Sequence, residues 1–317
     1  MRVLYIKSGY RGIYKYLDDS IMTALQENDY VWQAVHPKEA IEGVERIVSS
    51  LQPIYMLTLL GDYLSPSILQ YLKTKSIKTV CWLTEDPFYM DKTVRKIAAF
   101  DYICSVDLGA CKYYQSMHKQ VHHVPLGTNP AVFHPIDSNK SNSLLLLGFP
   151  YPSRVRFTEF LMEKSNFPLT IVGRGWNDHM KAWQHDPRLT IKNQWLPPQE
   201  VMKCYNEAQI VLNPHRQYNC IHNQNRLGVI SESINNRTFD IAACRAFTLT
   251  EAKMDLASFF TVNEMVSYYN EQDCLEKIEM FMREPAKCET MALGAYKRTI
   301  QEHTFSHRLA QIHNIVM

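Results

Sequence analysis

Several stretches of this chain collect side chains whose chemistry goes beyond packing. The richest is Glu232-Ser233-Ile234-Asn235-Asn236-Arg237-Thr238-Phe239-Asp240-Ile241-Ala242-Ala243-Cys244. Ser233, Asn235 and Asn236 are strong N-cap types and Phe239, Ala242 and Ala243 supply an apolar face, so a helix is expected to start near Asn236. Its first amides, with the Arg237 guanidinium, would form an anion site. Asp240 falls one turn deeper on the face of Asn236, and eight residues of helical rise span at most about 12 Å. That is the reach from a sugar across a diphosphate to a ribose, so Glu232 and Asp240 could grip both ends of a nucleotide-sugar. An ordinary capped helix with a solvated Asp240 is the plain alternative.

Other candidates stand where a strand is expected to end. Ser8-Gly9-Tyr10-Arg11-Gly12 follows the first strand, and Gly9 and Gly12 would let backbone approach a ligand or simply make a tight turn. In Trp82-Leu83-Thr84-Glu85-Asp86-Pro87-Phe88, either Glu85 or Asp86 could act as a general base or hold substrate hydroxyls, although Asp86 before proline also suits a turn. Arg154 follows Phe149-Pro150-Tyr151-Pro152-Ser153, and Arg174 sits in Gly173-Arg174-Gly175-Trp176. A guanidinium at a strand end suits a diphosphate because it stays charged and binds bidentately. His215, Cys220 and His222 fit no zinc spacing, so this stretch reads as a polar loop, with His215 counted among the donor-binding candidates. No metal site is expected, and no D-x-D triplet occurs.

The elements that must position these residues alternate. Apolar runs at Val3–Lys7, Tyr30–Val35, Ile54–Leu60, Thr79–Leu83, Tyr102–Ser105 and His122–Leu126 are separated by amphipathic stretches. The Pro-, Asn- and Ser-rich segment 129–143 looks like a linker. The alternation then restarts with Leu144–Gly148, Leu169–Gly173, Leu189–Lys192, Ile210–Asn213 and Phe247–Thr250. Near-continuous apolar strands between helices mean parallel sheets covered on both faces. Two α/β domains are therefore expected, residues 1–138 with a returning helix at 303–317, and residues 143–300, facing each other across a cleft.

Composition narrows the function classes. The chain has 317 residues, 34 Lys and Arg against 32 Asp and Glu, and no long basic run, which argues against nucleic-acid binding. Eight scattered cysteines read as buried free thiols of a reducing compartment. No apolar run approaches a membrane span or a signal peptide, so a cytoplasmic location is expected. Only 11 glycines are present, and neither GxGxxG nor GxxxxGK[ST] occurs, which excludes dinucleotide and P-loop fingerprints.

The segment 233–244 resembles the central motif of glycosyltransferase-like proteins of the spore maturation protein CgeB family. So do Trp82-Leu83-Thr84-Glu85-Asp86-Pro87, Val124-Pro125-Leu126-Gly127 and His303-Thr304-Phe305-Ser306-His307-Arg308. The resemblance implies a GT-B fold, two Rossmann-like domains with the C-terminal helix crossing back onto the first. It also implies kinship with retaining, metal-independent transferases, whose E-x7-E motif appears as Glu232-x7-Asp240. By that match Asp240 would hold the ribose hydroxyls and Glu232 the transferred sugar. Arg245 stands where such proteins often have glycine, and its bulk is expected to narrow the donor pocket.

The reading is transfer of a sugar from a nucleotide-diphosphate-sugar, UDP-sugar first, to a protein or glycan acceptor of the spore surface in the mother-cell cytoplasm. The donor is a substrate and no cofactor is required. The acceptor is expected near Gly9, Gly12, Glu85 and Asp86. The rivals are a catalytically degenerate nucleotide-binding or assembly factor and a nucleotide-sugar epimerase.

Overall fold

The computed structural model describes residues 1–117 and 120–317. Strands β1 (Arg2–Ile6), β2 (Val31–Val35), β3 (Tyr55–Leu59), β4 (Lys78–Leu83), β5 (Tyr102–Ser105) and β6 (Val121–His123) form one parallel sheet, in the order β2-β1-β3-β4-β5-β6. Strands β7 (Ser141–Leu147), β8 (Leu169–Val172), β9 (Leu189–Lys192), β10 (Ala208–Asn213), β11 (Thr248–Glu251) and β12 (Val266–Tyr268) form a second, in the order β12-β11-β10-β7-β8-β9. The inner strands are apolar on both faces, as Tyr55-Met56-Leu57-Thr58-Leu59 shows, because helices cover both sides of a parallel sheet.

The chain divides into two compact units. The first comprises Met1–Gly127, Ile221–Ser233 and Thr304–Met317, and the second Thr128–Cys220 and Ile234–His303. In the first, Leu4, Met56, Cys81 and Ile103 of the sheet pack with Val44, Ile68 and Tyr114 of its helices. The last helix, Phe305–Val316, belongs here, as the family resemblance implied: Phe305 is buried against the rings of Tyr16 and Trp82 at 6.3 and 6.4 Å. In the second, Leu146, Ile171, Leu212 and Leu249 of the sheet pack with Phe157, Trp176 and Ile278. Each such side chain contributes about 1.5–3 kcal/mol by leaving water.

Three segments depart from the sequence expectation. The expected linker ends inside a strand, because Ser141 opens β7 and pairs with Ala208. The helix Leu108–Ser116 was not anticipated, its apolar pattern being interrupted by Lys112 and Gln115, yet Ala110, Cys111 and Tyr114 are buried. The three-residue edge strand β12 is too short to carry a pattern.

Candidate functional site

In the second sheet the chain runs outward from β7 through β8 to β9, then returns to place β10 on the other side of β7. Such a reversal leaves a crevice beyond the carboxyl ends of the two strands, where ligands of doubly wound sheets bind. Gly148 follows β7 and Pro214-His215 follows β10, so both flank this point. Arg154, on the helix Pro152–Lys164, bridges the two sides. It is 2% exposed and donates from Nη1 to the Phe149 carbonyl at 3.2 Å and from Nη2 to the Pro214 carbonyl at 3.0 Å. Arg237 reaches the same place and donates to the Leu147 carbonyl. A Cβ on Gly148 would lie 2.5 Å from Arg154 Nη1 and 2.9 Å from Arg237 Nη1. With φ at +140°, only glycine lets the two guanidiniums converge there.

Two like charges brought together in a poorly solvated place call for an anion. Among the described residues no carboxylate closes an ion pair on either guanidinium. Burial, and after it the Arg237 charge, pushes Arg154 down to about 9. His215, 3% exposed, is held well below the ordinary histidine range by burial and then by Lys253, Arg237 and Arg154, so it is neutral near pH 7. The Thr238 amide donates to Asn235 Oδ1 at 3.3 Å, which identifies the opposite atom as the Nδ2 that donates to His215 Nδ1 at 2.7 Å. The network thus assigns the imidazole proton to Nε2. That Nε2, Arg154 Nε and Asn236 Oδ1 are all buried without a hydrogen-bond partner. The two unused donors, on residues that flank the Gly148 crevice, are what a phosphate would satisfy.

The helix that carries Arg237 is short, Arg237–Ala243, and its end differs from the sequence expectation of a bare anion site. The amide of Thr238 bonds Asn235, and those of Phe239 and Asp240 bond Asn236, so these donors are taken within the turn. The positive charge of the patch therefore comes mainly from guanidiniums. Asp240 is 3% exposed; Oδ1 accepts from Thr128 Oγ1 at 2.8 Å and Oδ2 from Asn236 Nδ2 at 3.0 Å. Its burial leaves this carboxylate facing inward. Asn235 pairs with Asn213, and Glu251 accepts from the His215 amide at 2.8 Å and from Gln217 at 3.1 Å. Arg174 is exposed beyond β8.

Arg245 does not narrow this patch. It follows the carboxyl end of the Arg237–Ala243 helix in a left-handed conformation, φ +51°, and pairs with Glu289 at 2.6 Å. There it lines a cavity of about 500 Å³ with Lys140, Phe247 and Cys288, at the amino ends of β7, β10 and β11, away from Gly148 and His215.

The first unit holds the remaining candidates. Gly9 and Gly12 lie in the turn between β1 and the helix Ile13–Glu27. Buried Asp18 fixes that turn by accepting from the Ser8 amide, Ser8 Oγ and Tyr5 Oη. Glu85 is half-buried and accepts from Tyr14 Oη at 2.9 Å. The structure separates it from Asp86, which turns inward and bonds Ser105 and Tyr114. Glu232 and Ser233 also belong to this unit, and Ser233 is buried beneath the amide of Leu108. Sequence reasoning passed over Gly148, Asn213, Glu251, Asp18 and Asp107. A glycine or acid next to a strand end was the available signal for three of them, Gly148, Glu251 and Asp107, but their partners lie far away in the chain.

Among the described residues, no group of three or more His, Cys, Asp or Glu side chains is arranged to hold a metal ion, and no helix is long and apolar enough to cross a membrane. All eight cysteines are free and seven are buried.

Comparison with known proteins adds four findings. The family model for glycosyl transferase-like proteins matches residues 154–314. The sequence is 35% identical over 318 residues to spore protein CgeB of Bacillus subtilis strain 168, covering 98% of each chain. Sucrose-phosphate synthase of Thermosynechococcus elongatus is similar with a TM-score of 0.71 at 10% identity, covering 100% of this chain and 99% of that one. Anabaena HepE in complex with UDP and glucose is similar with a TM-score of 0.66 at 9% identity, with the same coverage. At these identities the structural likeness shows the fold alone, which is GT-B.

Proposed function

This chain belongs to the glycosyl transferase-like family of spore protein CgeB, and on that premise we propose that it transfers a sugar from a UDP-sugar to a protein or glycan acceptor of the spore surface. The observation that carries the reading is the patch at Gly148, with two converging guanidiniums, a neutral His215 and the unpartnered buried donors His215 Nε2 and Arg154 Nε. A diphosphate meets that demand, and UDP is the first choice because the similar Anabaena HepE binds it. In the transfer, the acceptor hydroxyl oxygen bonds the anomeric carbon and loses its proton to solvent or phosphate. The bond from that carbon to the diphosphate breaks, and its electron pair leaves with the diphosphate. Arg154, Arg237 and the Nε2–H of His215 would stabilise that charge, work that would need no metal ion.

Glu232 would hold the transferred sugar, and the transfer would retain the anomeric configuration. Gly9, Gly12 and Glu85 would take the acceptor, in the mother-cell cytoplasm during spore maturation. Arg174 is available to the outer phosphate, and Asn235 orients His215. The inward bonds of Asp240 give it a supporting role under Asn236. One second reading, a protein that binds the nucleotide without transferring a sugar, is favoured by the ion pair that already holds the Glu232 carboxylate to Lys112.

Calorimetry with UDP, GDP, CDP and dTDP, paired with UDP-glucose turnover, tests both. Arg237→Gln should weaken UDP binding about 10- to 100-fold, the worth of a charged hydrogen bond. EDTA should leave that affinity unchanged. Absence of any nucleotide binding at millimolar concentration would falsify the proposal, and binding without turnover of any donor would leave the second reading standing.

A further inference from the structure

Glu232 has no regular secondary structure around it, yet its backbone is fixed more firmly than that of most loop residues. The fixing comes from the first turn of the helix Leu108–Ser116. Asp107, 2% exposed, divides its carboxylate between two tasks. Oδ1 caps the helix by accepting from the Ala110 amide at 3.0 Å. Oδ2 accepts from Ser231 Oγ at 3.0 Å, from the Glu232 amide at 3.0 Å and from the Ser233 amide at 3.2 Å. The Leu108 amide answers by donating to Ser233 Oγ at 2.9 Å. Gly109 completes the cradle, because a Cβ there would stand 2.0 Å from the Ile230 carbonyl oxygen. One turn on, Lys112 pairs with the Glu232 carboxylate itself.

A helix cap needs one oxygen and one or two amides. Three further donors converging on the second oxygen of a buried carboxylate exceed what capping requires, and all three come from the stretch that ends in Glu232 and Ser233. We infer that Asp107 is a positioning residue: its Oδ2 holds the backbone of Glu232, with Gly109 providing the clearance and Lys112 the orientation of the carboxylate. The inference rests on the assignment of Glu232 to the transferred sugar. It adds that the placement of this acid is set by the 107–112 turn of the first unit.

The test uses the full-length protein with UDP and UDP-glucose. Asp107→Ser retains a good N-cap residue but cannot reach the three outer donors, and Gly109→Ala keeps Asp107 while pushing Ile230 away. Both should lower kcat for UDP-glucose hydrolysis at least 10-fold. UDP affinity, set by the Arg154–Arg237 patch, should stay within about 2-fold of wild type. Amide exchange at Glu232 and Ser233 should rise at least 10-fold. Asp107→Ser combined with Glu232→Gln should be no slower than Glu232→Gln alone, because a positioning residue has nothing left to position. Unchanged kcat in both single variants overturns the inference, as does a further loss in the double variant. A parallel fall in UDP affinity would mark a general structural defect and overturn it as well. Wild-type protein with no affinity for UDP would instead sink the donor reading, and the positioning role with it.

Discussion

Asp86 offers a measurement that separates a working acid from a structural one. Its side chain is 3% exposed, Ser105 Oγ donates to Oδ2 at 2.8 Å, and Tyr114 Oη lies 3.0 and 3.1 Å from the two oxygens. Burial pushes the carboxyl up from its ordinary 3.8 to about 7, against the pull of the Ser105 and Tyr114 hydrogen bonds, and the charge of Asp107 adds to the rise. The folded state therefore binds this proton more tightly than the unfolded chain. The resulting stability is complete below about pH 4 and is lost as pH rises through about 7. A shift of about three units corresponds to about 4 kcal/mol in all, of which about 2–3 kcal/mol falls between pH 5 and pH 8. Asp86→Asn removes the ionisation and keeps an acceptor for Ser105. Relative to wild type it should gain about 2–3 kcal/mol between pH 5 and pH 8. Urea unfolding at half-unit pH steps, followed by the fluorescence of the buried Trp82 and its fellow tryptophans, measures the difference. A pH-independent gap between the two proteins, or one that widens toward acid, refutes the burial argument. Donor turnover in Asp86→Asn should persist, and its loss at unchanged stability would return Asp86 to the chemistry.

Two further outcomes follow from the geometry. Arg245→Gly should be more stable than Arg245→Ala by about 1 kcal/mol, because both lose the Glu289 pair and only glycine accepts φ +51° without strain. Both should bind UDP like wild type, and thermal unfolding with calorimetry reads the two effects. Burial and the neighbouring cations hold His215 well below the ordinary histidine range, so His215→Gln should weaken UDP binding while leaving the shape of its pH profile near neutrality unchanged. A profile that flattens in the variant would mean that His215 titrates, and that the burial and cationic neighbours assigned to it do not govern its charge.

Periodicity carries far in this chain. Among the described residues, eleven of the twelve strands stand out in the sequence, most plainly inner ones such as Thr79–Leu83, because a strand buried on both faces tolerates few polar side chains. Helical periodicity likewise sets off the helix Pro66–Thr74, which opens at its proline and carries Lys73 in its last turn. It misses Leu108–Ser116, where Lys112 and Gln115 break the apolar pattern while Asp107 holds the cap. The type of a functional residue is also legible: Arg154, Arg237 and His215 are candidates on chemistry and place alone. What each one faces is not. Glu85 and Asp86 are adjacent and alike in sequence, yet one meets Tyr14 near the surface and the other is sealed among Ser105 and Tyr114.

The sequence by itself determined two parallel α/β sheets, the family, and a set of strand-end residues suited to a diphosphate. Only the tertiary structure decided that Arg154 and Arg237 converge on Gly148, that Asp240 turns inward, that Arg245 lies at the opposite strand ends, and that Asp107 holds Glu232. The reason is physical. Periodicity and capping act over a few residues, whereas decisive partners of these side chains come from 44 to 126 positions away in the chain.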